Sequence, residues 1–254
     1  MATINLKINS SIAEIHIDNV SKLNALTLSM LESLESHCRT LEKTTNVRVV
    51  LLTAEGNLSF CVGADINDWG DLSPFDFSRH WIRNGHRSLD SLANLSQPTI
   101  AVIAGNAFGG GLELASACDL RVMSHNSKLA LPETGVGIVP GWSGTQRLAR
   151  QIPPAILKEM ALLGNQLNAK RAFEIGYVNV LAENAYEKAL EMAKQIITKS
   201  PRATEVAKYL IQISSDNNSD SLIEALGGGL IATTKDKEEG IAAFREKRKP
   251  NFSG

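Results

Sequence analysis

The sequence predicts an α/β fold, with a layered body of strands and helices followed by a helical region. Three observations predict it. Short β-branched apolar runs alternate with amphipathic segments in the first half of the chain, and strands alternating with helices build α/β layers. After about residue 150 only helical periods remain. The 254 residues, 43% of them hydrophobic, suffice for a sizeable core in one large domain, or in one domain with an appendage.

Taken in order, Ile4–Ile8 and Ala13–Ile17 alternate apolar and polar residues around Asn9-Ser10-Ser11, which predicts a hairpin. His16 falls on the polar phase of the second strand and reads as a solvated strand residue. Leu31, Leu34, Cys38 and Leu41 recur at three- and four-residue steps behind Thr27, the pattern of a capped amphipathic helix. Val47–Thr53 is β-branched and apolar, as in a strand buried on both faces. Ser59–Ala64 reads as a short strand ending in a turn, and 68–90 as a loop and helix covering something. Thr99–Ala104 and Leu120–Met123 read as further strands, with a helix at Leu112–Cys118 between them. The predicted helices beyond residue 150 are Ala155–Leu163, Ala169–Ile175, Ala185–Thr198, Arg202–Ile213, Ser219–Leu226 and Lys235–Lys247. Pro201 and the polar run Ser214–Asp220 are their punctuation.

Charge and composition narrow the function. The chain carries 26 Lys+Arg against 27 Asp+Glu, so it has no basic footprint for nucleic acid. No apolar run reaches the ~18 residues of a membrane span. The N-terminal residues resemble neither a signal nor a transit peptide, and a start at Met1 points to a cytoplasmic protein. Cys38, Cys61 and Cys118 are scattered without a CxxC, which favours free thiols over a metal site.

The segment NAFGGGLELA, residues 106–115, sets three glycines beside an acid. It is not a P-loop, because Gly110 is followed by Gly111 and not by Lys. It is not a GxGxxG turn, because Leu114 stands where the last glycine belongs. Close packing of strand on helix and an active-site turn both remain open. Glu113 lies in the first turn of the following helix, where the dipole favours a carboxylate, yet its neighbours are apolar. A second stretch, 129–147, contains one acid, Glu133, among apolar, Gly and Pro residues. Alone it reads as a cap or backbone anchor. Together, two isolated acids in neighbouring Gly-rich segments suit acid/base work, because their surroundings can push their pKa values apart. A third stretch, FCVGADI at 60–66, places a Gly-Ala turn after a strand. A backbone N–H freed there needs an acceptor if water is excluded, as does one at the N-terminus of the helix after the glycines. Two such donors aimed at one point make an oxyanion hole.

The combination FCVGADI, GNAFGGGLELASACDLRV, LPETGVGIVPGWSGTQRL and EKRKPNF resembles the enoyl-CoA hydratase/isomerase (crotonase) family over nearly the whole chain. The resemblance implies a crotonase-like spiral of ββα units over residues 1–195. Residues 196–254 would be a C-terminal helical region that builds homotrimers, or hexamers as dimers of trimers. It implies that Ala64 and Gly110 donate their N–H groups to the thioester oxygen. Glu113 and Glu133 would be the paired acids, adding water syn to a trans-2-enoyl-CoA to give a 3-hydroxyacyl-CoA. Glu133 would give the proton to the α-carbon while Glu113 activates or orients the water. It further implies that Lys22 and Leu23 lie near the nucleotide end and that Val62, Asp65 and Ile66 line the pantetheine and adenine path. Gly141 and Trp142 would sit at the reactive pocket. Phe244 and Lys247 would reach a neighbouring subunit's ligand. A solvated surface role for Lys22 and Lys247 stays open. No cofactor is implied, since coenzyme A belongs to the substrate.

This chain departs from the family pattern in having Val20 where proline is common, and Trp142 where many hydratases carry a small residue. That indole would shorten or reshape the acyl pocket, or pack outside it. Isomerases of the family generally keep only the acid at Glu133, so Glu113 favours hydration; specialised acyl-CoA hydratases and dehydratases can keep both. A serine hydrolase would want GxSxG, which Gly141–Thr145 does not supply. A glycosidase also needs two carboxylates but leaves the two freed N–H turns unexplained. A non-enzymatic acyl-CoA-binding or RNA-binding role is the remaining alternative, and the near-neutral charge weighs against RNA.

Overall fold

The computed structural model describes residues 2–213 and 220–254. Most of the predicted separator Ser214–Asp220 therefore lies outside the described residues. The predicted hairpin is present as β1 (Thr3–Asn9) and β2 (Ile12–Asp18), antiparallel, with Ile4 opposite Ile17. His16 stands half-buried on its polar face and meets Thr53 and Glu55. Thr27 caps helix Leu28–Glu42 by accepting from the Met30 N–H, and Leu31, Leu34, Cys38 and Leu41 are all buried on its inner face.

From there the chain winds between two sheets. The larger contains β1, β2, β3 (Val49–Ala54), β5 (Thr99–Ile103), β7 (Leu120–Ser124) and β10 (Val180–Ala182), in that order. The smaller contains β4 (Ser59–Cys61), β6 (Asn106–Phe108), β8 (Lys128–Ala130) and β9 (Leu167–Asn168). The chain lays one strand in the large sheet and the next in the small one, three times in succession: β3 then β4, β5 then β6, β7 then β8. Because each return is a crossover, β3, β5 and β7 run parallel in the large sheet, and β4, β6 and β8 in the small one. The result is a spiral of strand–strand–helix turns.

The two faces of the large sheet explain why its strands lack polar alternation. Val50, Leu52, Ala101 and Ile103 face the main core, which also takes in Phe60, Cys61, Ala107 and Leu129 of the small sheet. Val49, Leu51, Ile100, Val102 and Val122 face Ala185, Ala189 and Ala193 of helix Ala185–Ile197. A parallel sheet covered on both faces requires such runs.

Two sequence expectations need correction. The region after residue 150 is not purely helical, since it contains β9 and β10. These are two and three residues long, too short to show a period. Helix Gly144–Gln151, which begins within the Gly- and Pro-rich stretch 129–147, was not among the expected helices. Helices Pro201–Ile213, Asp220–Ala232 and Lys235–Glu246 follow the spiral. Among the described residues no helix is long and apolar enough to cross a membrane.

Candidate active site

β4, β6 and β8 are parallel neighbours in register, Cys61 beside Ala107 and Phe108 beside Ala130. Their C-terminal ends therefore open onto one place, as crossover connections generally dictate for parallel strands. The residues just past those ends are Val62-Gly63-Ala64, Gly109-Gly110 and Leu131-Pro132-Glu133.

Ala64 lies in an isolated parallel bridge with Leu26. The Leu26 N–H donates to Gly63 O (2.7 Å) and the Asp65 N–H donates to Leu26 O (2.8 Å). In such a bridge the Ala64 N–H points the other way and meets no acceptor among the described residues. Gly63 turns the chain with φ +105, a backbone closed to most side chains. A Cβ there would also lie 3.1 Å from Gly110 N, so the two turns are in contact. Gly109 has φ +52, and its own N–H donates to Ala130 O at 2.9 Å. Gly110 then opens helix Gly110–Ser116, and its N–H is one of the orphan donors of that first turn. Gly111 sits where a Cβ would come within 2.1 Å of Cys61 O. The close-packing role left open for the glycine run is thus present, beside a turn with a free donor. Gly111 allows close packing, and Gly109-Gly110 form a turn that leaves a donor free.

Glu113, one helical turn beyond Gly110, is 2% exposed. Its Oε1 accepts from the Trp142 N–H and the Gly144 N–H, both at 2.8 Å. Burial raises its pKa above the ordinary carboxylate range, and those two N–H groups oppose the rise. A Cβ on Gly144 would come within 2.3 Å of Glu113 Cγ, so no larger residue fits that approach.

Glu133 begins the short helix Glu133–Val136 and is 8% exposed. Its Oε1 lies 2.9 Å from where a Cβ on Gly109 would sit. Its Oε2 is buried with no hydrogen-bond partner among the described residues. Its pKa is pushed up to about 7, chiefly by burial and further by the negative charge of Glu113, while a backbone hydrogen bond works the other way.

A cavity of about 220 Å³ joins these groups. Ala64, Gly110, Glu113, Glu133, Val62, Ile66, Gly141 and Trp142 all line it, as does an apolar wall that includes Trp69, Phe77, Trp81 and Ile82. Those four were missed in the sequence. They belong to the 68–90 region read only as cover, and the aromatic residues there were the available signal. Trp142 is buried, tilted against Trp81 with ring centroids 5.5 Å apart. Its indole occupies the space beside Gly85, where a Cβ would lie 2.0 Å from Nε1. The same ring covers Gly110, with Cζ3 2.6 Å from the corresponding Cβ position. The Trp142 ring lines the cavity.

Five predicted site residues do not line the cavity. Lys22 Nζ donates to Asp65 Oδ2 at 2.5 Å, and Asp65, 4% exposed, also caps helix Ile66–Trp69 through Asn67. The Lys22 hydrogen bond is the main cause holding the Asp65 carboxyl below its ordinary pKa. Leu23 is exposed beside them in the left-handed region, φ 55. Phe244 is 86% exposed and Lys247 ends helix Lys235–Glu246, so neither reaches the cavity of its own chain. Among the described residues no three His, Cys, Asp or Glu side chains come together as metal ligands.

Comparison with known proteins agrees with this architecture. The model of the enoyl-CoA hydratase/isomerase family matches residues 7–254. The probable mitochondrial enoyl-CoA hydratase 2 of Arabidopsis thaliana is 40% identical over 97% of this chain and 83% of its own. The crotonyl-CoA hydratase of Syntrophomonas wolfei is 34% identical over 97% of this chain and 96% of its own. The crystal structure of an enoyl-CoA hydratase from Bacillus anthracis superposes with a TM-score of 0.93 at 34% identity, covering 99% of both chains.

Proposed function

The chain belongs to the enoyl-CoA hydratase/isomerase family, and within it we propose that it adds water reversibly to a trans-2-enoyl-CoA to give a 3-hydroxyacyl-CoA. One observation carries the reading: two buried carboxyl groups line the same cavity as two backbone turns whose N–H groups have no acceptor among the described residues. Ala64 and Gly110 donate to the thioester oxygen and hold the negative charge that gathers there as the enolate forms. In a dry site such preorganised donors count for more than in water; removing one costs about 3–4 kcal/mol in other enzymes. Water sits between Glu113 and Glu133 and attacks the β-carbon. Glu113, with one oxygen tied to two N–H groups, orients the water and takes up its proton as the new C–O bond forms, and that proton returns to Glu133 before the next turnover. Glu133, with a pKa of about 7, keeps a proton near neutrality and gives it to the α-carbon. Both acids act on one face of the substrate, so addition is syn.

Lys22 and Leu23 take the nucleotide end outside the cavity, while Val62, Asp65 and Ile66 line the pantetheine and adenine path. Residues 196–254 form the assembly region that follows the 1–195 spiral. In a trimer or hexamer, exposed Phe244 and Lys247 would meet the ligand of a neighbouring copy.

The test is the loss of crotonyl-CoA followed by its ultraviolet absorbance. Glu113→Gln and Glu133→Gln should each lower kcat by at least about a hundredfold, the low end for losing a positioned acid or base, with a modest change in KM. Wild-type rates in both variants would end the assignment. A wild-type protein that only moves the double bond of a 3-enoyl-CoA would make it an isomerase, and one that binds acyl-CoA without turnover a binding protein.

A further inference from the structure

The loop that carries the two donors to Glu113 is itself held from one side. Ser143 stands between those donors, Trp142 and Gly144, and its backbone is left-handed, with φ 68 and ψ 10. That conformation is uncommon for a residue with a side chain. It is what turns two N–H groups separated by a single residue onto one carboxylate oxygen, as in other backbone nests that bind anions. An extended or right-handed Ser143 would rotate the 143–144 peptide and carry the Gly144 N–H away from Glu113. The Ser143 hydroxyl is hydrogen-bonded to His86 Nδ1. His86 lies on helix Arg83–Ala93, whose Gly85 makes room for the Trp142 indole. One turn further along that helix, Asp90 pairs with Arg147, which also donates to Trp142 O at 3.2 Å. The helix thus grips the 142–147 segment at both ends, and the His86–Ser143 bond is the grip closest to the donors.

We infer that His86 and Ser143 are a positioning pair, whose hydrogen bond keeps the Ser143 backbone left-handed and so aims the Trp142 and Gly144 N–H groups at Glu113. Neither residue lines the cavity, so neither is a catalytic residue. The kinetic consequence rests on the hydratase reading above; the geometric one does not.

Three variants and two readouts test the pair. Ser143→Ala loses the hydroxyl and keeps the steric cost of the left-handed backbone. Its kcat should fall on the order of tenfold, the scale of one lost hydrogen bond plus imperfect alignment, with KM within about twofold. Ser143→Gly adopts the same backbone without that cost and should recover most of the lost kcat. His86→Ala should resemble Ser143→Ala, and should add nothing when combined with Ser143→Gly. The second readout needs no turnover. In carboxyl-carbon NMR of glutamate-labelled protein, with the signal assigned by Glu113→Gln, the Glu113 titration should move to higher pH in Ser143→Ala and in His86→Ala. The N–H groups that favour its ionised form are then misaimed. An unchanged Glu113 titration in Ser143→Ala overturns the proposal. So does a Ser143→Gly variant as impaired as Ser143→Ala, which would mean the hydroxyl itself takes part. If the wild type turns over no enoyl-CoA, the hydratase reading falls, while the Glu113 titration still decides the positioning claim.

Discussion

Replacing Glu133 by glutamine should stabilise the protein at alkaline pH while impairing the proposed reaction. In the folded chain the Glu133 carboxyl has a pKa of about 7, against an ordinary value of 4.5. For an acid raised on folding, the neutral form is the one the native site tolerates. Its stability is therefore fully present below about pH 4.5 and is lost as pH rises through about 7. At 1.36 kcal/mol per pH unit the gap amounts to roughly 3 kcal/mol, and water entering the open cavity screens part of it, leaving about 2 kcal/mol. Glutamine has nearly the same shape and no charge to bury. Glu133→Gln should therefore match the wild type in urea unfolding at about pH 4.5 and exceed it by about 2 kcal/mol at about pH 8.5. Both proteins must be compared at the same protomer concentration, because assembly adds to apparent stability. A difference that is the same at both pH values, or a variant less stable at the higher one, would refute the argument that Glu133 is held against its charged form. The same titration predicts that wild-type kcat for hydration falls as pH rises through about 7, because the proton donor is then lost.

Trp142→Ala should enlarge the cavity beside Gly110 and shift the preference from short towards longer acyl chains. A C4 to C16 enoyl-CoA series should show the kcat/KM ratio of C8 to C4 rising about tenfold, and equal relative rates in variant and wild type would deny the indole that role. Gly111→Ala should cost about 3 kcal/mol or more and lower Tm, since its Cβ would lie 2.1 Å from Cys61 O and a backbone oxygen has no rotamer by which to move aside. A Tm within a degree or so of wild type would show that β4 and helix Gly110–Ser116 can separate without loss.

What the sequence disclosed followed from how local each signal was. The hairpin, helix Leu28–Glu42 with its Thr27 cap, and strands β3 and β5 all carry their pattern within about a dozen residues. β6, β8, β9 and β10 do not. At two or three residues each, they are strands because neighbours in the spiral pair with them, not because of any period of their own. At the site, Gly63, Gly109, Glu113 and Glu133 were legible because glycine runs and lone acids stand out against apolar surroundings. Gly85 and His86 were not, since a glycine and a histidine inside a polar helix look ordinary until Trp142 and Ser143 are folded against them. Phe244 and Lys247 are a different case. The resemblance assigned them to a neighbouring copy's ligand, and within one chain they lie away from the cavity.

The spiral also accounts for the unequal surroundings of the two acids. Ala64, Gly110 and Glu133 follow the ends of three adjacent parallel strands, where ladder hydrogen bonding stops and backbone groups lose their partners. Each turn of the spiral thus delivers one group to the same rim: a donor, a donor and an acid. Glu113 does not follow that rule. It projects from a helix and would be buried without partners if the 141–144 loop did not return two N–H groups to one of its oxygens. The loop therefore sets the difference between the acids. It offers donors to Glu113 and leaves Glu133 Oε2 with none among the described residues. Two carboxyls that share a cavity, one with two loop N–H donors on a single oxygen and the other with one oxygen unpartnered among the described residues, take up protons at different pH. A reaction that needs one acid charged and its neighbour protonated at the same moment requires that inequality, and Ser143 is the residue on which it turns.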